Sequence, residues 1–181
     1  MKPRFNESKT AQIAGLLLEM RGAPMHYMKL IKLMYLVDRA ALLMWGQPLT
    51  YDNYVSMPHG PVLSATLDLI NEGPDGESPW HQQIERATDP YCVRLKARPQ
   101  TTELSDAEKN LIAKTFERYG RMNRYKLRDL LHEVLPEWQD PKGSSLPITY
   151  RDILRAANKP EPEIVQILSA IESIARAQNP I

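Results

Sequence analysis

The sequence predicts a mainly α fold, a single compact helical domain of about seven helices with a minor β-hairpin, running over residues 1–181. Three observations carry this reading. Apolar residues recur at helical spacing through most of the chain, capping residues bracket those runs, and neither a repeat nor a long linker divides the sequence. With 43% hydrophobic and 25% charged residues, the chain has the balance of a folded protein rather than a disordered one.

The first helix starts after Asn6, with Ser8 and Thr10 as alternative caps, and carries Ala11, Ile13, Ala14, Leu16, Leu17, Leu18 and Met20. Gly22 and Pro24 stop it. A second helix is predicted from Pro24 or Met25 to Trp45, with Pro24 near its first turn and Gly46 beyond its end. Residues 47–60 read as irregular or short-stranded, with Tyr51 and Tyr54 as anchors, and Pro61 stands where the next helix would begin. Residues 72–79 form a solvated loop.

From Trp80 to Leu95 the pattern changes. Runs around Ile84 and over Tyr91–Leu95, separated by Thr88-Asp89-Pro90, predict the small hairpin, with Cys92 packed in its core as a small hydrophobe. Ser105 and Glu108 form a capping box for a helix that ends at Gly120. Asn123 caps the following helix, and Pro136 and Pro141 frame Trp138. Thr149 caps a short helix with Ile153 and Leu154, and residues 158–181 hold a C-terminal helix from about Glu161 to Ala177.

Several function classes lose support at this level. The net charge of +1 gives nucleic-acid binding no backing at the level of the whole chain; only a local basic patch would support it. The one cysteine, Cys92, allows no intramolecular disulfide and fits a reducing, cytoplasmic setting. The N-terminus lacks the apolar stretch of a secretory signal. Lys32, Asp38 and Arg39 interrupt the most apolar run, Leu30–Trp45, so no membrane span is expected. His26, His59, His81 and His132 are scattered without metal-ligand spacing. Phosphate-binding glycine loops and a Gly-x-Ser-x-Gly elbow are missing. Pairing Cys92 with His59 or His81 would lack a third, orienting group. The expectation is a binding protein, not an enzyme, with no cofactor and no metal.

The most informative segment is 25–61. At about 100° per residue, with Lys29 at zero, Lys32 and Arg39 fall near 300° and 280°. Lys29, Lys32 and Arg39 thus share one cationic stripe. It is either a solvated face, with basic side chains covering apolar surface, or a rim that grips an acidic partner. Asp38 falls near 180°, among Tyr27, Ile31, Met34, Leu42 and Trp45, a row that should face the core. A buried carboxylate needs donors. Backbone N–H groups of residues 52–60 and the His59 imidazole are on offer, so Asp38 is expected to brace the loop that ends in His59-Gly60-Pro61; the alternative is an Asp near the helix surface with no special partner.

These residues carry a resemblance. The run Met28-Lys29-Leu30-Ile31-Lys32-Leu33-Met34-Tyr35-Leu36-Val37-Asp38-Arg39 resembles the "KLxKLxYLxDR" helix of the Panacea domain, the SocA-like antitoxin family. The likeness continues through Gly46–Leu49, Asp52–Val55 and Met57–Ser64. Trp80 with Ile84, Tyr91–Leu95, Leu104–Glu108, Leu130–Glu133, Leu135–Trp138 and Ile153-Leu154 keep the family's order, over roughly residues 5–157.

The resemblance implies an antitoxin that neutralises a cognate toxin by direct protein contact, in a family common in phages, prophages and other mobile elements. Some members resemble proteolytic adaptors that deliver the toxin to a Clp-type protease, which is the alternative reading. Others carry an added DNA-binding domain, for which this chain has too little length beside the core. A DNA-binding autorepressor therefore rests on the 29/32/39 stripe alone. Within the binding reading, Lys29, Lys32, Tyr35 and Arg39 on the helix and Asp52, Tyr54 and His59 on the loop are the candidate toxin contacts, with Asp38, Gly60 and Pro61 as the structural brace.

Overall fold

A computed structural model of the chain describes residues 2–72 and 77–179. In chain order the elements are α1 (Glu7–Arg21), β1 (Met25–His26), α2 (Tyr27–Trp45), β2 (Tyr54–Met57), β3 (Gly60–Leu63), α3 (Ser64–Asn71), α4 (Pro79–Gln83), β4 (Ile84–Arg86), β5 (Cys92–Leu95), α5 (Asp106–Tyr119), α6 (Arg124–Val134), β6 (Leu146–Ile148), α7 (Tyr150–Ala156) and α8 (Glu161–Gln178). The fold is mainly α, as predicted, with eight helices among the described residues. The strands form two antiparallel sheets of three, β1-β5-β4 and β3-β2-β6, rather than one hairpin. Of the solvated loop predicted over 72–79, residues 73–76 lie outside the described residues.

Local chemistry sets most helix boundaries. Asn6 caps α1 by accepting from the Lys9 N–H, and Asn123 caps α6 by accepting from Tyr125 and Lys126. Ser105 with Glu108, and Thr149 with Asp152, close reciprocal capping boxes on α5 and α7. α1 lies so close to the segment before α5 that a Cβ on Gly15 would stand 2.7 Å from the Pro99 side chain.

Three placements depart from the sequence reading. α2 begins at Tyr27, because Met25 and His26 pair with Val93 and Cys92 as a third strand on the β4–β5 hairpin. The His26 ring then caps α2 by accepting from the Met28 N–H. Pro61 starts no helix; it sits in β3 opposite Ser56. β3 is an edge strand, where the missing N–H of a proline costs nothing in the ladder. Cys92 is half-buried rather than in the hairpin core, with its thiol donating to Asp89, because the strand's alternation turns Val93 inward.

α2 is the centre of the molecule. α1, α5, α6, α7, β1, β3 and α3 all pack against it. Every residue from Lys29 to Asp38 is buried, as expected for a helix surrounded on all sides. The cationic stripe is therefore neither a solvated face nor an open rim: Lys29 is 7% exposed and Lys32 is 2% exposed. No helix among the described residues is long and apolar enough to cross a membrane.

Candidate functional site

Three carboxylates fix the region between α2 and β3. Asp38 is fully buried on the core side of α2. Its Oδ1 accepts from the Leu49 N–H at 2.8 Å and the Thr50 N–H at 3.0 Å; its Oδ2 accepts from the Thr50 hydroxyl and from the Tyr54 phenol at 2.8 Å. The clamp holds residues 49–54, not residues 55–60 or the His59 ring. Burial pushes the Asp38 carboxyl above its ordinary value, against the pull of these donors. Burial and the neighbouring Asp38 charge hold the Tyr54 phenol well above its own ordinary range.

Asp52, 1% exposed, caps α3 from a distance. It accepts from the Ala65 N–H at 2.8 Å, the Thr66 N–H at 2.9 Å and the Thr66 hydroxyl at 2.7 Å. The residue that precedes α3, Leu63, has no side-chain acceptor, so Asp52 supplies the missing cap. Glu137 is the third carboxylate. It reaches α2 from beyond α6 and accepts from the Tyr35 hydroxyl at 2.9 Å and the Arg39 Nε at 2.6 Å.

The candidate contacts thus separate into two groups. Lys29, Lys32, Tyr35, Asp52 and Tyr54 are buried. Lys29 Nζ donates to the Gly120 carbonyl at 2.6 Å, and Tyr35 and Tyr54 meet edge to face with ring centroids 5.4 Å apart. Arg39 is half-buried, and His59 is exposed at the β2–β3 turn. Gly60 follows with φ +105, a conformation an L side chain rarely adopts. A Cβ built there would stand 3.2 Å from Lys32 Nζ and 3.5 Å from His132 Nε2.

The turn carrying His59 adjoins a second group, of which sequence reasoning named only Lys32 and His59 as contacts. Lys32 and His59, with His26 and Met28 before and at the start of α2, and Arg124, Tyr125 and Arg128 on the first turns of α6, line one cavity of about 190 Å³. Arg124 lies over the Tyr125 ring at 4.7 Å and Arg128 at 5.6 Å from its centroid. Below them, His132 stacks on Trp138 at 3.8 Å, and the Trp138 indole N–H donates to the Met57 carbonyl at 3.0 Å. Arg124 and Arg128, spaced i and i+4 around an aromatic, are the signal that could have found this cluster. Nothing in the sequence says that α6 packs on β3 and brings them to His59. Among the described residues, no three or more His, Cys, Asp or Glu side chains are grouped to hold a metal ion.

The family model described as "Antitoxin SocA-like, Panacea domain" matches residues 30–139, more than half of the chain. The matched stretch contains Lys32, Asp38, Asp52, His59, Arg124, Arg128 and Glu137, and stops before β6, α7 and α8. No curated protein and no solved structure matches the chain.

Proposed function

The chain belongs to the SocA-like antitoxin, Panacea domain family, and on that premise we propose that it neutralises a cognate toxin by direct protein–protein binding in the cytoplasm. The observation that supports a binding role is how the β2–β3 turn is held. Asp38 and Asp52 lock the backbone on either side of it, the Trp138 indole N–H donates to the Met57 carbonyl at its start, and the turn presents His59 to solvent on an already ordered frame. A surface ordered before contact loses less entropy on association.

In this reading His59 and the open edge of Arg39 touch the toxin. Lys29, Tyr35, Asp52 and Tyr54 act from beneath, by holding the frame; Asp38 fixes the segment that leads into β2, and Gly60 and Pro61 shape the turn above Lys32. Neutralisation follows from occupancy of the toxin's own functional surface, without a chemical step by this chain.

The test is co-expression with the product of the neighbouring gene. We expect that product to be toxic alone, tolerated with the wild-type chain, and co-purified with it. His59→Glu should weaken the complex at least tenfold, about 1.4 kcal/mol or more, while the melting temperature of the free chain stays near wild type. A His59→Glu chain that binds and neutralises as well as wild type would place the contact elsewhere. If growth is rescued only when a Clp-type protease is present and the toxin's half-life shortens, the chain is a proteolytic adaptor instead.

A further inference from the structure

The cavity beside His59 is built for an anion. Lys32, Arg124 and Arg128 carry full positive charges, His26 and His59 add two imidazoles, Met28 and Tyr125 supply the remaining wall, and no carboxylate lines it. The nearby acids lie outside the lining: Asp129 pairs with Arg128 at 2.6 Å, and Asp89 accepts from the Tyr91 N–H and the Cys92 thiol. The lining keeps an excess of positive charge.

Lys32 is the decisive residue. It is 2% exposed, and its Nζ has no hydrogen-bond partner among the described residues. A buried ammonium without a partner is strongly unfavourable, and a methionine of similar length would pack there without that cost. His132 Nε2, also on the Gly60 side, is likewise buried without a partner. Two unsatisfied polar atoms next to a cationic cavity indicate a group that the protein itself does not supply.

We propose that this cavity binds a phosphate group, as the free ion or as a monoester. Three fixed cations match a phosphate dianion better than a single carboxylate. The Arg124 and Arg128 guanidiniums keep further N–H groups for phosphate oxygens beyond those that meet Tyr125 and Asp129, and the first turn of α6 contributes the positive end of its dipole. The volume is well over ten times what one water needs, enough for a phosphate and part of what it esterifies. Tyr125 lines the cavity and is exposed, so its ring can also meet an attached planar group.

The experiment uses the free chain, so its outcome is independent of toxin binding. Wild-type protein is titrated with inorganic phosphate, phenyl phosphate and acetate at constant ionic strength, with binding read by calorimetry and by thermal melting. Saturable binding of phosphate, with the melting temperature rising by about 3 °C or more near saturation, is the expected result. Tighter binding of phenyl phosphate than of inorganic phosphate assigns a monoester; equal or weaker binding assigns the free ion. Lys32→Met should weaken phosphate binding at least tenfold. Should that variant not fold, Arg124→Gln and Arg128→Gln, both at outer positions of α6, should each weaken it at least threefold. Absence of saturable phosphate binding, a response to acetate equal to that to phosphate, or variants that bind like wild type would each overturn the assignment; the acetate result would assign the cavity to an acidic side chain of a protein partner.

Discussion

The Arg39 guanidinium and the Glu137 carboxylate form an ion pair at 2.6 Å, with the Glu137 side chain fully buried and Arg39 only 18% exposed. Tyr35 donates to the same carboxylate oxygen. The pair ties the central helix to the segment beyond α6, about a hundred residues later in the chain. Removing one partner leaves the other charge buried alone. Glu137→Ala is therefore expected to cost about 3–5 kcal/mol, read as a lower urea midpoint. A loss below about 1 kcal/mol would mean that the pair behaves as an exposed one.

Asp38 holds residues 49–54 through two backbone N–H groups and two hydroxyls. Asp38→Ala strands the buried Leu49 and Thr50 N–H groups and the Tyr54 phenol. The expected loss is about 3 kcal/mol or more. Asp38→Asn keeps one acceptor oxygen and should lose less. Equal melting temperatures for wild type and Asp38→Ala would rule out the clamp.

Burial and the Arg128 charge hold the Lys32 ammonium down to about 8, against 10.5 for an ordinary lysine. The depressed value means that the unfolded chain binds the extra proton between pH 8 and 10.5, so Lys32 contributes a stability that rises with pH across that window and is lowest below it. His132, Arg128, Arg124, His59 and His26 surround it, and none of them adds a carboxylate. In phosphate-free buffer Lys32→Met should be more stable than wild type at pH 7, by an amount on the order of 3 kcal/mol at most, and the gap should close as pH approaches 10. Parallel pH–stability curves for the two chains would contradict this. Taking the difference between variants cancels the buried tyrosines, whose raised values lower stability only above their ordinary range.

Gly60→Ala combines a positive φ with a Cβ 3.2 Å from Lys32 Nζ. A loss of about 1–3 kcal/mol is expected. It should come with a weaker response to phosphate, because the Lys32 ammonium must shift. Wild-type stability in this variant would show that the turn adopts another conformation.

What was legible in the sequence was local. Asn6, Ser105 with Glu108, Asn123 and Thr149 announce helix starts through side chains that bond to backbone one turn away, and all of them cap. Asp38 could be read as inward-facing because its phase on the wheel matched the apolar row. What was not legible depended on partners far along the chain. The wheel assigns a wet face by default, yet α5, α6 and the segment carrying Glu137 cover the Lys29, Lys32 and Tyr35 side. Met25 and His26 join a strand only because residues 92–93 come alongside. The Arg124–Arg128 pair acquires meaning only where α6 meets β3.

The β3-β2-β6 sheet has a consequence in time. Ser56 pairs with Leu146 and Tyr54 with Ile148, partners separated by about ninety residues. During synthesis the strand that carries the chain toward the His59 turn stays open on one side until residues 146–148 have left the ribosome, and distant closures of this kind are slow. A newborn chain therefore exposes Tyr54–Met57 as an unfinished edge, and translation that stops short of Leu146 yields a product in which that edge is never closed.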